Sequence, residues 1–243
     1  MKENLYGYLA GNEYPGRGIC IGKAPGGNKA MIAYFIMGRS ANSRNRVFDP
    51  IAGGIRTKAA DPSKMTDPHL IIYNPVLTFD RTTIVTNGDQ TNTIYDFMSR
   101  NEFPHYAFEA ALNTRTFEDD KPNWTPRISG VVNMKTGAYK LNILKSDNGD
   151  ENSVQRFTFD YSQPLAAEGH FISTYKCNGN PIPSFTGEPI CVAVDEEDPA
   201  QYAAKLWEAL NEDNKVSLFV RAIDLKTKTC KDVIINKYKA VEG

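Results

Sequence analysis

Arg39-Ser40-Ala41-Asn42-Ser43-Arg44-Asn45-Arg46 sets three guanidiniums within eight residues, interleaved with hydroxyl and amide side chains. A guanidinium is a planar fork of donors that meets phosphate or carboxylate oxygens two at a time, and Ser and Asn add neutral donors around the same anion. The segment follows the apolar run 30–37, which places it just past a strand, where it reads either as an anion site or as solvated surface charge. Asn87-Gly88-Asp89-Gln90-Thr91-Asn92 sits between a strand-like and a helix-like run. It is a turn with Thr91 or Asn92 as helix cap, or a set of backbone amides and polar side chains that hold a phosphate or heterocycle. Residues 117–130 gather Glu118, Asp119, Asp120, Trp124 and Arg127 ahead of an apolar strand. Acids followed by Pro read as an exposed loop, yet Thr125-Pro126-Arg127 sets a guanidinium near a sheet end.

Other segments carry less. Gly22-Lys23-Ala24-Pro25-Gly26-Gly27 lacks the Gly-Lys-Ser/Thr ending of a phosphate loop and precedes no helix, so it reads as a hairpin turn. His69, His105 and His170 are far apart, without the spacing of a zinc site, and no metal is expected. No Gly-x-Ser-x-Gly elbow is present.

Elements that would position these groups follow from periodicity. Strand-like runs at 18–22 and 30–39 flank the turn 23–28, and a second pair at 70–76 and 82–86 is separated by 77–81. Helices are predicted at 93–99 and 106–113, the latter rich in Ala and Leu. Runs 128–134 and 138–144 face each other across Lys135-Thr136-Gly137, and 157–161 and 169–175 are further strands. The clearest helix runs from Pro199 to Leu210, with Asp198 as cap, Pro199 in its first turn, and Ala203, Leu206, Trp207 and Leu210 on one face. A last hairpin, 216–223 and 232–238, closes around Lys226-Thr227-Lys228. Runs of strands before and after a helical pair predict an α+β protein with largely antiparallel sheets, layered as an αββα sandwich.

The totals bound the partners. The chain has 243 residues, a formal net charge of −1, 41% hydrophobic and 23% charged residues. That length fits one large core, and the whole of 1–243 is read as one domain. Near-neutral charge excludes a wide nucleic-acid face, and no apolar run approaches the ~20 residues of a membrane span. Residues 1–11 lack the pattern of a signal peptide, and Cys20, Cys177, Cys191 and Cys230 are scattered, so reduced thiols in the cytoplasm are expected. Asn123-Trp124-Thr125 is then a fortuitous glycosylation match.

With Tyr14-Pro15-Gly16-Arg17 leading into a strand, the segments Gly38-Arg39-Ser40 through Arg44, Asn87-Gly88-Asp89-Gln90-Thr91 and Thr125-Pro126-Arg127-Ile128-Ser129-Gly130 resemble the archaeal-type IMP cyclohydrolase family. Looser similarity continues around Ser173-Thr174-Tyr175 and Gly187-Glu188-Pro189, so the resemblance covers roughly 14–189 and leaves 1–13 as an N-terminal extension. It implies a fold similar to N-terminal-nucleophile hydrolases, a four-layer αββα sandwich, without use of such a nucleophile. It also implies a cytoplasmic enzyme of purine biosynthesis in the cyclic-amidine hydrolase class, with no cofactor and a homo-oligomeric state. The reaction would be dehydrative closure of 5-formamidoimidazole-4-carboxamide ribonucleotide to inosine monophosphate. Alternatives are a non-catalytic purine-nucleotide-binding protein on the same scaffold, or an N-terminal-nucleophile amidohydrolase exposing Cys20 after cleavage.

Residue roles follow from the same resemblance. Arg44 would contact the substrate head or the developing oxyanion, Tyr73 would polarise the formyl oxygen or relay a proton, and Glu118 would accept a proton. Arg17, Arg39 and Ser40 would grip the 5′-phosphate; Asn87, Asp89 and Thr91 would line the nucleotide site; and Arg127 would bind phosphate or hold Glu118. Two departures stand out: the added Asn45-Arg46 leaves the matched role to either Arg44 or Arg46, and Gln90 stands where the family pattern has a histidine.

Overall fold

Two antiparallel sheets packed face to face form the middle of the protein, whose computed structural model describes residues 2–66, 68, 71–100 and 104–241. The first sheet contains β1 (Arg17–Lys23), β2 (Lys29–Met37), β10 (Glu168–Ser173), β11 (Ile190–Ala193), β12 (Lys215–Asp224) and β13 (Cys230–Asn236), in the order β11-β10-β1-β2-β12-β13. The second runs in sequence order: β3 (Arg46–Ile51), β4 (Gly54–Ala59), β5 (Val76–Phe79), β6 (Thr82–Thr86), β7 (Arg127–Asn133), β8 (Tyr139–Ser146) and β9 (Val154–Tyr161). Helices α1 (Leu5–Ala10), α2 (Ala41–Arg44), α3 (Gln90–Arg100), α4 (Pro104–Asn113) and α5 (Pro199–Ala209) complete the described elements, with one 3₁₀ turn at Pro62–Lys64.

Strand alternation explains the layering. On β2, Met31, Ala33, Phe35 and Met37 face α1 and α5, whereas Ile32, Tyr34 and Ile36 face the second sheet. A strand covered on both faces needs apolar residues at every position, which is why 30–37 is a continuous apolar run. The second sheet does the same: Ile128, Val132, Leu141 and Ile143 point to the inter-sheet core, while Ile84, Val131 and Leu144 meet Ile94, Met98, Phe108 and Leu112 of α3 and α4. Helices therefore cover both outer faces. Among the described residues no helix is long and apolar enough to cross a membrane.

The predicted helices 93–99, 106–113 and 199–210 correspond to α3, α4 and α5. Asp198 accepts from the Ala200 amide at 3.3 Å as the cap of α5. Most strands also fall where periodicity put them. The predicted strand 70–76 does not: Leu70 lies outside the described residues, and 71–75 is irregular, with the Ile71 and Ile72 amides both donating to the Pro68 carbonyl. The hairpin is instead Val76–Phe79 with Thr82–Thr86, turning at Asp80, whose φ is 47°. Residues 2–13 of the extension belong to the fold: α1 is capped by Asn4, buries Leu5 and Leu9 beside α5, and Glu3 bridges Val192. So does the C-terminal part, since β12 pairs with β2 at the centre of the first sheet.

Candidate active site

Antiparallel order brings the start of β1, the end of β2, the starts of β3 and β7 and the end of β10 to one rim of the sandwich. Beyond Met37 the chain turns sharply at Gly38, where a Cβ would lie 2.7 Å from the Ser43 carbonyl carbon. Ser40 then caps the single turn of α2, accepting from the Ser43 amide at 3.1 Å while Ser43 Oγ accepts from the Ser40 amide at 3.0 Å. This capping box fixes the direction of each arginine in the segment. Across the rim, Gly16 holds φ +77° and packs so closely that a Cβ would sit 2.3 Å from Thr174 Oγ1. The loop before β7 closes the third side, with Asp120 accepting from the Thr125 amide at 2.6 Å and from its hydroxyl. The result is a cleft of about 300 Å³ lined by arginines, tyrosines and acids.

Two of its charges, Glu118 and Arg46, are buried. Glu118 is 3% exposed, and its Oε2 lies 3.5 Å from Arg17 Nη1. Asn87 Nδ2 reaches Glu118 Oε1 at 3.4 Å. Burial pushes the Glu118 carboxyl up, with Arg17 and Arg127 pulling against it. Burial works against the Arg17 charge, but Glu118 and the nearby tyrosines outweigh it and hold the guanidinium above its ordinary value. Arg46, 1% exposed, is lowered chiefly by burial. Its Nε donates to the Ser43 carbonyl at 2.8 Å and its Nη2 to the Met37 carbonyl at 3.4 Å. Arg46 Nη1, Arg17 Nε and Arg127 Nε are buried without a hydrogen-bond partner. An unsatisfied charged donor is costly in a protein interior, and a bound anion would supply the missing acceptors.

The structure sorts the expected site residues into two groups. Arg17, Arg39, Ser40 and Glu118 line the cleft. Arg39 lies at its exposed mouth, donating to Asn178 Oδ1 at 2.6 Å, with its Cζ 5.1 Å from the centre of the Tyr14 ring. Arg44, expected to contact substrate, turns away: its Nε donates to the Gly38 carbonyl at 2.8 Å and its Nη2 to Asn214 at 3.2 Å. Arg46, two residues on, takes the inward position. Tyr73 lies behind the lining, its hydroxyl 2.7 Å from that of Tyr34. Asn87, Asp89 and Thr91 do not line the cleft either. Asn87 is a buried cross-link, accepting from the Gln90 side chain and the Ile128 amide at 2.9 and 2.8 Å. The Thr91 hydroxyl pairs with that of Thr86 at 2.6 Å. Asp89 and Gln90 each accept from Arg127 Nη1 at 2.8 Å, so this turn anchors Arg127. Gln90, in place of the histidine expected there, serves as a structural acceptor.

Further lining residues to which the sequence assigned no role include Tyr14, Asp120, Thr125 and Tyr175. Tyr14 and Tyr175 stack with ring centres 5.8 Å apart, and Tyr175 hydrogen-bonds Thr125 through its hydroxyl. Tyr14 and Tyr175 lie in segments already marked by the resemblance, but nothing in their spacing predicts that they meet.

A family model described as IMP cyclohydrolase-like protein matches residues 14–228, which include every residue of this cleft. The chain belongs to the IMP cyclohydrolase-like family. Its relatives include an IMP cyclohydrolase of Methanococcus aeolicus, 27% identical over 188 residues, covering 77% of this chain and 84% of the relative. An IMP cyclohydrolase of Methanopyrus kandleri is 26% identical with coverage of 77% and 85%, and one of Methanosphaera stadtmanae 28% identical with coverage of 68% and 75%. Membership reaches beyond the earlier resemblance at 14–189 to take in α5 and β12, elements that the sandwich needs for its first sheet.

Proposed function

We propose that this protein is an IMP cyclohydrolase that closes 5-formamidoimidazole-4-carboxamide ribonucleotide to inosine monophosphate with loss of water. The observation that supports it most directly is Glu118, a buried carboxyl with a raised pKa, in a cleft with Arg17 and Arg46, each of which leaves one buried donor without a protein acceptor. The αββα layering also favours kinship of the fold with N-terminal-nucleophile hydrolases, without a terminal nucleophile taking part.

In the reaction the carboxamide nitrogen bonds to the formyl carbon, and the carbonyl electrons move onto the formyl oxygen. That oxygen takes a proton as the carboxamide nitrogen loses one, giving a hydroxylated intermediate. The hydroxyl then takes a second proton and departs as water while the formamido nitrogen loses its N–H proton and the C=N bond forms. An amide nitrogen is a weak nucleophile and a formamide a weak electrophile, so the site must first hold them in contact. Arg17 and Arg46 stabilise the charge developing on the formyl oxygen in a site where little water competes. Glu118 accepts the amide proton and passes it to the formyl oxygen, then relays the formamido N–H proton to the leaving hydroxyl. A carboxylate with a raised pKa is the stronger base, and its conjugate acid is the donor needed in each relay. Arg39 and Ser40, at the mouth, hold the 5′-phosphate. Tyr73, through its pairing with Tyr34, positions the floor beneath the two arginines, and the Asn87–Thr91 turn positions Arg127.

Incubating the purified chain with the formamido ribonucleotide should yield inosine monophosphate, followed by absorbance. Because Glu118 must be ionised to accept a proton, the rate should fall as pH drops through its raised pKa, giving an acid limb above the ordinary value of 4.5. Glu118→Gln should remove that limb and lower turnover by about 10²–10⁴-fold. Thermal stabilisation by inosine monophosphate without turnover would reassign the protein as a nucleotide binder; absence of both would overturn the reading.

A further inference from the structure

At the opposite end of β10 from the cleft, Glu168 and His170 are two residues apart and so share a face, and the register sets Cys191 of β11 directly opposite His170. One ligand atom from each of Glu168, His170 and Cys191 lies within 4.8 Å of the others. In a tetrahedral zinc site, bonds of about 2.0–2.3 Å put neighbouring ligand atoms ~3.4–3.8 Å apart, so rotamer adjustments of the order of an ångström close the set. All three residues are partly exposed, which gives a cation access from solvent. His170 is already oriented: its Nδ1 lies 2.7 Å from the Tyr139 hydroxyl, and its ring stacks on Tyr161 with centres 3.9 Å apart. With Nδ1–H donating to Tyr139, Nε2 keeps its lone pair, the arrangement that fixes tautomer and direction in ligating histidines.

We propose that Glu168, His170 and Cys191 form a binding site for a divalent cation of the zinc class. A thiolate and an imidazole select a borderline-soft cation over magnesium or calcium, and thiolate plus carboxylate neutralise its charge. Binding releases the Cys191 thiol proton to solvent, and water fills the fourth position. The ammonium of Lys2, 3.5 Å from Glu168 Oε2 and 40% exposed, is the counter-charge that the cation displaces. The cation would tie the four-residue edge strand β11 to β10, the strand that leads into Thr174 and Tyr175 at the cleft. Separation in sequence conceals the set, because only strand pairing brings residue 191 to residues 168 and 170.

The full-length chain, stripped with a chelator and carrying Cys177→Ser and Cys230→Ser to silence the two exposed thiols, is titrated with Zn²⁺ and with Co²⁺. The expected result is one Zn²⁺ per chain, a rise in thermal midpoint, and a near-ultraviolet thiolate-to-Co²⁺ charge-transfer band. Cys191→Ser should abolish the band, and His170→Ala and Glu168→Gln should each weaken binding by at least about tenfold. Zn²⁺ binding unchanged by His170→Ala, or none in the parent at millimolar Zn²⁺, overturns the proposal. Should Cys191→Ser fail to fold, the parent spectrum decides, since bound Co²⁺ without a charge-transfer band excludes Cys191 as a ligand.

Discussion

Arg44 and Arg46 carry the same group two positions apart, and the local backbone sends them in different directions. Arg44, at the end of α2, spends its guanidinium on the Gly38 carbonyl and Asn214. Arg46, the first residue of β3, points inward with a terminal nitrogen left unsatisfied. A single-residue prediction separates them. Arg46→Ala should lower kcat/KM for cyclisation by about 10²–10³-fold, as for loss of one preorganised donor to a developing oxyanion. Arg44→Ala should keep kcat/KM within a few-fold while lowering unfolding free energy by about 1–2 kcal/mol for its two lost hydrogen bonds. Steady-state kinetics with urea denaturation of both variants checks this, and the reverse pattern would move the oxyanion site to Arg44. The types and spacing of this segment left it open as an anion site or as solvated surface charge, and two arginines so close together cannot be ranked without the turn of α2 between them.

Element by element, legibility followed the strength of local signals. The hairpins at 23–28 and 135–137 have glycine-containing turns between apolar runs, and α5 has cap, proline and an apolar stripe, so they emerged intact. Helices α1 and α2 are too short for periodicity to register. Strand β3 contains Pro50 and begins with an arginine; it escapes notice because it is the edge of its sheet, where a proline is tolerated. At 71–75 the apolar pattern reads as a strand, yet Tyr73 is held by Thr57, whose side chain accepts the Tyr73 amide at 2.8 Å. The approach of Tyr14-Pro15-Gly16-Arg17 to β10 is the most sterically demanding junction of the site. Gly16→Ala should cost about 2–3 kcal/mol, because φ +77° disfavours a side chain and the new Cβ would meet Thr174 and the Tyr175 ring. Chemical denaturation measures it, and a cost under about 0.5 kcal/mol would mean that Tyr175 moves aside freely.

Across the whole molecule, the two sheets are joined by more than apolar contact. Arg221 of β12 forms a two-point pair with Asp232 of β13, at 2.8 and 2.7 Å, and its Nη1 donates to Thr78 Oγ1 of the other sheet at 2.8 Å. Arg221→Met would leave Asp232 unpaired. Its carboxylate keeps 34% of its exposure, so the cost should sit below that of a fully buried pair, at about 2–3 kcal/mol in equilibrium unfolding. A variant as stable as the parent would show that the inter-sheet core alone holds the layers. By itself the sequence determined what short-range chemistry can encode: the antiparallel α+β class, three of the helices, and an arginine-rich segment next to a strand end. Tertiary structure decided which side chains share a cavity. Arg17, Arg46, Glu118 and Tyr175 meet only because non-local strand pairing brings four distant strand ends to one rim, and the same pairing takes Arg44, Asn87 and Thr91 out of the cleft to satisfy buried backbone and side-chain groups.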